Sequence, residues 1–399
     1  MSVSQTISLL RFPLIVAVVF IHFNLVENGL AIQGRPCFVG VAAWVWYAVE
    51  MVSEVVARLS VPLFYVVSGY LFFRSADSFS CHEYIAKLRR RFRSLFIPYV
   101  LWNLMAVAWL AFHILLMRLL DAGGEGGVEF RFSLVRLLNT LSYSNATNGF
   151  VVYLDQVGTH ALSVFPADVP LWFVRDLMIV VLLSPLVRWL ILKARVWYVV
   201  AVGVVWYVCQ AWTTIQAVHG ADIPLFNTSA FQVITYTVAA LFFFSLGAWL
   251  SLRRIDFMSF LTGRRVVLVA IYVAIAVFDL ATKTHPLNPC IHNLGIVVGI
   301  AAVWAVAARV GQPTTRLTQR IGISAGAVFF IFALHNIVMS DIARVVYTLL
   351  PWADHSLLTF LFYILVPLIT ILLCLVAYRI LKTILPSVCN VLTGARVYK

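Results

Sequence analysis

The sequence predicts an all-α fold, a polytopic membrane bundle of about ten transmembrane helices with both termini in the cytoplasm. The composition is 62% hydrophobic and only 11% charged, whereas soluble domains carry about 25% charged residues. Apolar runs of roughly 20 residues, enough to cross a hydrocarbon core of about 30 Å, recur along the whole chain. The chain is therefore predicted to be an integral, multi-pass protein of the lipid bilayer.

The positions of the basic residues predict the topology. The ten predicted spans are residues 7–26, 55–74, 95–117, 171–191, 196–213, 229–251, 265–281, 291–308, 322–341 and 357–381. Lys and Arg cluster after the second, fourth, sixth and eighth spans and in the C-terminal tail. Because cytoplasmic loops are enriched in basic residues, this alternation predicts cytoplasmic termini. Residues 6–382 then form a single membrane domain, and residues 383–399 form a cytoplasmic tail.

Charge and cysteine usage limit the classes of partner. The net charge is +13, but the basic residues lie in short connections and form no stripe on a soluble domain, so we predict no nucleic-acid partner. The six cysteines show no CxxC pair and no metal-ligand spacing, so no metal is predicted. Cys37 and Cys290 are predicted to lie on the same side of the membrane. They form either a disulfide or two free thiols, and the sequence leaves both alternatives open.

Two long connections are predicted outside the membrane. Residues 27–54 contain AAWVWYAVEMV, which is typical of an amphipathic segment that lies in the membrane interface or caps the bundle. Residues 119–170 contain the glycine-rich GGEGG and then FRFSLVRLLNTL, a short amphipathic helix. We interpret this second connection as a lid or an acceptor-binding surface.

The first span, RFPLIVAVVFIH, begins and ends in an ionisable side chain. Arg11 and His22 are eleven positions apart, about three turns plus 20°, so they share a helix face roughly 16 Å apart along the axis. Arg11 is a snorkelling anchor or a functional group, and His22 is a packing hydrogen-bond partner or a general base. Pro13 is expected to fit in the first turn of the helix.

The second span and the basic segment after it supply further candidates. Ser68 and Gly69 are small residues in a bulky run, which suits close helix packing or close approach of a ligand. In KLRRRFRSLFIPYVLWN, Arg90 and Arg93 are spaced i, i+3 on one helical face. The cluster is a topology signal or a site for a phosphorylated cofactor, because arginine binds phosphate bidentately.

Ionisable residues also occur in the outer parts of three later spans, where burial is costly unless they are paired or functional. The candidates are Trp172, Arg175, Asp176, Asp279, His335 and Asn336. As chain neighbours, Arg175 and Asp176 point about 100° apart, so each is expected to have a separate partner. Each residue alone is explained by a structural interhelical bond; together they predict a polar cavity lined by spans one, four, seven and nine.

These segments, in this order, resemble the acyltransferase-3 family of integral membrane acyltransferases. The resemblance rests on RFPLIVAVVFIH, VPLFYVVSGYLFF, RRRFRSLFIPYVLWN, PLWFVRDLM and FFIFALHN, and it covers about residues 6–382. The family's Arg-x10-His pair corresponds to Arg11 and His22, with the histidine catalytic. Its Ser-Gly-Tyr element corresponds to Ser68, Gly69 and Tyr70. Its Arg-x-x-Arg element corresponds to Arg90 and Arg93, although the adjacent Arg89 and Arg91 leave the register open.

The resemblance implies transfer of an acyl group, usually acetyl from acetyl-CoA, to a hydroxyl of a carbohydrate or lipid-linked glycan in the bacterial inner membrane. In the resulting hypothesis, cytoplasmic arginines bind the CoA phosphates. His22 deprotonates the acceptor hydroxyl for direct attack on the thioester, with an acyl-histidine intermediate as the variant. Trp172, Arg175, Asp176, His335 and Asn336 are assigned to the acceptor side, with Arg175 or Asn336 as oxyanion donors.

Two other functions stay open on the residues alone. A proton-coupled transporter or flippase also places Arg, His and Asp inside the membrane. No broken half-helices and no inverted repeat of the transporter kind are visible in the sequence. An accessory membrane subunit would carry the same fold but bind no CoA.

Overall fold

Helices form nearly all of the structure. The computed structural model describes residues 3–23, 31–32, 35–36, 42–74, 79–119, 128–130, 151–153, 166–219, 229–310, 325–349 and 355–395. The α-helices are α1 Val3–His22, α2 Ala43–Glu50, α3 Ser60–Phe73, α4 Cys81–Arg91, α5 Ile97–Leu119, α6 Trp172–Leu182, α7 Ser184–Ala194, α8 Val196–His219, α9 Ser229–Leu252, α10 Phe257–Gly263, α11 Arg265–Ala281, α12 Asn288–Val310, α13 Ala325–Leu349, α14 Ser356–Ile384 and α15 Pro386–Leu392.

Short irregular elements join some of these helices. Two π-helices, Met51–Val56 and Phe92–Phe96, and two 3₁₀ turns, Ala57–Leu59 and Val169–Leu171, lie between or before α-helices. Among the described residues, two antiparallel strand pairs join Ala31–Ile32 with Arg35–Pro36 and Val128–Phe130 with Val151–Tyr153.

The membrane class predicted from the sequence is confirmed. Seven helical stretches among the described residues are long and apolar enough to span a bilayer, or nine if each of two bent pairs is one span. The remaining predicted span coincides with a shorter apolar helix, Val196–Trp212. Large apolar side chains such as Leu119 and Trp197 face outward, each 74% exposed, as lipid-facing residues do. The count of ten spans and the cytoplasmic termini stay predictions.

The predicted span 171–191 is broken, contrary to the sequence prediction. The predicted span 265–281 coincides with α11, and a second bend precedes it. α6 and α7 meet at an angle of 61°, and α10 and α11 meet at 73°. The first break precedes Pro185, which is tolerated in the first turn of α7 but could not continue α6. At the second break, Arg264 leaves helical geometry with φ −108° and ψ 13°.

Other local predictions are corrected as well. The segment predicted to lie in the interface is continuous with span two, because the chain is helical from Ala43 to Phe73. α1 begins at Val3, so Pro13 lies in the helix interior and not in a first turn. Cys290 is a free thiol. Cys37 lies outside the described residues. So does the predicted amphipathic helix at 130–141, apart from Phe130, which ends the strand Val128–Phe130.

The tightest helix contact is the crossing of α3 and α9. A Cβ atom on Gly69 would stand 2.0 Å from the carbonyl oxygen of Phe244, and one on Gly247 would stand 1.9 Å from the carbonyl oxygen of Val66. Each glycine thus lets the backbone of one helix touch the backbone of the other. Small residues are enriched at such crossings because helix association in lipid depends on close packing.

The C-terminal end of the described chain packs back onto the bundle. The indole N–H of Trp102 in α5 donates to the carbonyl of Leu392, 3.0 Å away. α15 ends in a Schellman turn, in which Gly394 and Ala395 donate to the carbonyls of Val391 and Asn390. Gly394 has φ +63°, and a Cβ there would lie 2.3 Å from the carbonyl oxygen of Ser94. Only glycine meets both requirements.

We predict that Gly69→Ala and Gly247→Ala each destabilise the bundle, because the added methyl has only backbone to displace. The expected cost is about 1–3 kcal/mol, typical of overpacking. Thermal unfolding of the purified proteins in detergent, followed by size-exclusion chromatography, measures the loss. Gly263→Ala is the matched control, since a Cβ at Gly263 meets nothing within 4 Å. Equal stability of all three variants would contradict the backbone contact.

Candidate active site

A cavity of about 490 Å³ lies between α1, α3, α6 and α13. α1 contributes the residues Ile7, Leu10, Arg11, Leu14 and Ile15. Their spacing of three or four positions places them on one face of the helix. Most of the lining is apolar, so the few polar side chains define what the cavity can bind.

The polar groups of the cavity belong to the end where α4 meets α5. Arg11 and Arg91 supply two guanidinium groups, and Ser68 and Ser94 supply two hydroxyls. Gly394, whose backbone touches Ser94, closes this end. Two arginines and two hydroxyls in a confined space are suited to an anionic, phosphate-bearing group.

The predicted phosphate-binding pair, Arg90 and Arg93, does not line the cavity. Both side chains are exposed, whereas Arg91 is half-buried and lines the cavity wall. Residues spaced i, i+3 share a face only in a continuous α-helix. The chain instead changes to a π-helix at Phe92, whose wider turn alters the spacing of residues on one face.

The three residues of the predicted Ser-Gly-Tyr element point in different directions. Ser68 lines the cavity. Gly69 faces α9 in the backbone crossing. The ring of Tyr70 packs edge-on against Phe257, with centroids 5.8 Å apart. The structure therefore brings Ser68 to Arg11 and gives Gly69 and Tyr70 packing contacts.

Three phenylalanines from three helices form the apolar wall opposite these polar groups. Phe64 of α3 lies 5.8 Å from Phe173 of α6, and Phe173 lies 6.0 Å from Phe332 of α13, measured between ring centroids. All three line the cavity. We call them the aromatic cluster.

Beyond the aromatic cluster, two histidines predicted separately from the sequence face each other. The rings of His22 at the end of α1 and His335 in α13 have centroids 5.3 Å apart. His335 is fully buried, and its ring centroid lies 6.4 Å from that of Phe332. Neither histidine lines the cavity, so the pair is a separate part of the site.

The hydrogen bond of His335 fixes its tautomer. Nδ1 lies 3.0 Å from the carbonyl oxygen of Ile331. Because a carbonyl only accepts, Nδ1 carries the proton and Nε2 holds a lone pair. Among the described residues, Nε2 has no hydrogen-bond partner. It is therefore left for chemistry with His22 or a substrate.

Arg175 and Asp176 pair with each other, and the prediction of separate partners is wrong. Nε of Arg175 lies 2.8 Å from Oδ1 of Asp176, and both residues are buried. Neighbouring side chains leave a helix about 100° apart, but the flexible side chain of Arg175 can turn back toward Asp176. In a low-dielectric interior, the attraction between the opposite charges favours this pairing. The neighbouring Trp172 packs against Tyr236, 5.0 Å between centroids.

The last two predicted residues lie away from the cavity wall. Asn336 is half-buried beside His335. Asp279 accepts hydrogen bonds from Asn288, at 2.7 Å, and pairs with His292, at 2.8 Å. These bonds hold α11 to α12. Span seven is therefore not a wall of the predicted polar cavity, and span two takes its place.

A group of polar residues near His22 was not predicted from the sequence. Glu54 pairs with Arg58 at 2.7 Å, and Glu50 pairs with Lys283. Arg58, on a turn packed against α1, interacts electrostatically with His22. The available signal was the spacing of Glu50, Glu54 and Arg58, which recur every four positions in an otherwise apolar helix.

A buried hydrogen-bond chain holds the end of α1. Ser53 donates to the carbonyl of Phe20 at 2.8 Å, and Ser53 and Tyr363 share a hydroxyl hydrogen bond of 2.7 Å. Phe20 has one of the last four carbonyls of α1, which no helical N–H can satisfy. The chain thus fixes the turn that carries His22.

Comparison with known proteins agrees with this architecture. The family model described as an acyltransferase domain matches residues 5–379. The succinoglycan biosynthesis protein ExoH of Rhizobium meliloti (strain 1021) is 26% identical over 403 residues, which cover 99% of this chain and 93% of that protein. No solved structure matches the chain. Because the family model covers nearly the whole bundle, including both histidines and every cavity-lining residue except Gly394 and Ala395, the chain belongs to the acyltransferase-3 family of integral membrane acyltransferases.

Proposed function

We propose that the chain moves an acetyl group from cytoplasmic acetyl-CoA to a hydroxyl of a carbohydrate or lipid-linked glycan, with His22 as general base. The proposal rests on the order in which the arginines, the aromatic cluster and the histidines follow one another along the bundle. Two arginines line a cavity at one side of the aromatic cluster, and two histidines meet at the other side. The relative ExoH is named as a succinoglycan biosynthesis protein, which supports a polysaccharide acceptor.

The donor would bind through the polar end of the cavity. Arg11 and Arg91 would hold CoA phosphates, and Ser68 and Ser94 would add hydroxyl hydrogen bonds. The predicted topology places this end at the cytoplasmic face, where acyl-CoA is found. With the phosphates held there, the acyl-pantetheine arm points along the apolar cavity toward the histidines.

The reaction balances with groups of this chain alone. His22 accepts the proton of the acceptor hydroxyl while its oxygen bonds to the thioester carbon. The C–S bond then breaks, and the proton passes to the leaving thiolate, which gives an ester and CoA. His335 would accept a hydrogen bond from protonated His22 through Nε2. Arg58 is our candidate for stabilising the oxyanion, because it interacts electrostatically with His22. It would do so while paired with Glu54.

A transporter or flippase is the second candidate, and the two bent helix pairs are the observation in its favour, since transporters use interrupted helices. Purified protein in liposomes, supplied with tritium-labelled acetyl-CoA and a membrane lipid extract, separates the two functions. Label incorporated into the glycan fraction supports the acyltransferase. Movement of a glycan without label transfer would support the transporter.

We predict that His22→Ala abolishes O-acetylation. Loss of a general base lowers the rate by about 100-fold or more. The readout is the O-acetyl content of surface glycans, by mass spectrometry, in cells lacking the native gene and expressing each variant. His82→Ala, at an exposed position on α4, is the control. Wild-type acetylation by folded His22→Ala protein would refute the mechanism.

We also predict that Arg91→Glu weakens donor binding more than Arg90→Glu or Arg93→Glu. A charged hydrogen bond contributes about 1.5–3 kcal/mol, so the Kd should rise about tenfold or more. Equilibrium binding of tritiated acetyl-CoA to purified protein measures the effect without an acceptor. The opposite ranking would move the phosphate site to the Arg-x-x-Arg pair. Unchanged binding in all three variants would contradict a phosphate site on these arginines, and absence of binding by the wild type would favour an accessory subunit.

A further inference from the structure

The donor cavity ends one helical turn before the histidines. Phe332 lines the cavity, and His335 follows it by three positions on α13, a rise of about 4.5 Å. Phe332 is buried, with 5% of its surface exposed. The aromatic cluster therefore stands between the space for the donor and the site of the proposed base.

The aromatic cluster is held firmly by its surroundings. Its rings come from α3, α6 and α13, so no single helix positions them. Tyr65 packs on Phe173 with centroids 4.7 Å apart and donates to the backbone carbonyl of Phe173 at 3.3 Å. Close-packed rings of this kind yield space only in small amounts.

The acyl group is the first part of the donor to meet this wall. If the CoA phosphates bind Arg11 and Arg91, the thioester points inward, and its acyl carbons lead. A two-carbon acetyl needs a small displacement of Phe332 to bring the thioester carbon to His22. Each added methylene must displace more of the cluster.

We propose that the aromatic cluster of Phe64, Phe173 and Phe332 selects the acyl group by length, admitting acetyl and excluding longer chains. This inference rests on the proposed function, because it assumes an acyl-CoA donor. It assigns these residues a role in specificity that is separate from phosphate binding and proton transfer.

The test compares acetyl-CoA with butyryl-CoA in proteoliposomes that contain a membrane lipid extract as acceptor. The wild type should prefer acetyl-CoA. In Phe332→Leu, the ratio of kcat/KM for butyryl-CoA to that for acetyl-CoA should rise about tenfold, the scale on which an apolar pocket discriminates chain length. Phe173→Leu, at a half-buried position, should change the ratio in the same direction, and it carries the test if Phe332→Leu does not fold.

Phe330→Leu is the matched control. Phe330 lies on the same helix and is equally buried, but its ring packs against Trp102 at 5.2 Å and Tyr378 at 5.6 Å, away from the cavity. Its ratio should equal that of the wild type. An unchanged ratio in folded, active Phe332→Leu or Phe173→Leu would overturn the inference and leave the proposed function intact. Absence of transfer from any acyl-CoA by the wild type would overturn both.

Discussion

The backbone contact between α3 and α9 determines where the walls of the cavity stand. In lipid, helices gain little from burying apolar surface, so close packing has to hold them together. Gly69 and Gly247 allow that packing, and α9 also contacts α6. α3 carries Ser68 and Phe64, and α6 carries Phe173. One crossing thus sets the separation between two walls of the cavity.

The second constraint is the cost of charge inside a low-dielectric bundle. Each buried carboxylate of three ion pairs has a basic partner: Asp176 pairs with Arg175, Glu54 with Arg58, and Glu50 with Lys283. Such pairing removes the cost of an isolated buried ion. The cavity lining carries two further guanidinium groups, those of Arg11 and Arg91, at one side of the aromatic cluster.

Sequence periodicity predicted the features that depend on one regular helix. The fold class and the helical segments follow from apolar run length, and the choice of Arg11, His22 and His335 as candidates follows from ionisable residues within those runs. Prediction from periodicity failed where the backbone departs from α-helical geometry or where a contact depends on other helices. The π-helix at Phe92 changed which arginine lines the cavity. Glu50 and Glu54 were not assigned to a span, because the helix that begins at Ala43 is continuous with span two. The aromatic cluster joins three distant segments, and no local pattern marks it.

The Schellman turn at Gly394 has a practical consequence. The last described residues close the polar end of the cavity, directly against Ser94 and near Arg91. A substitution or label placed in this turn would therefore alter the polar end of the cavity as well as the end of α15.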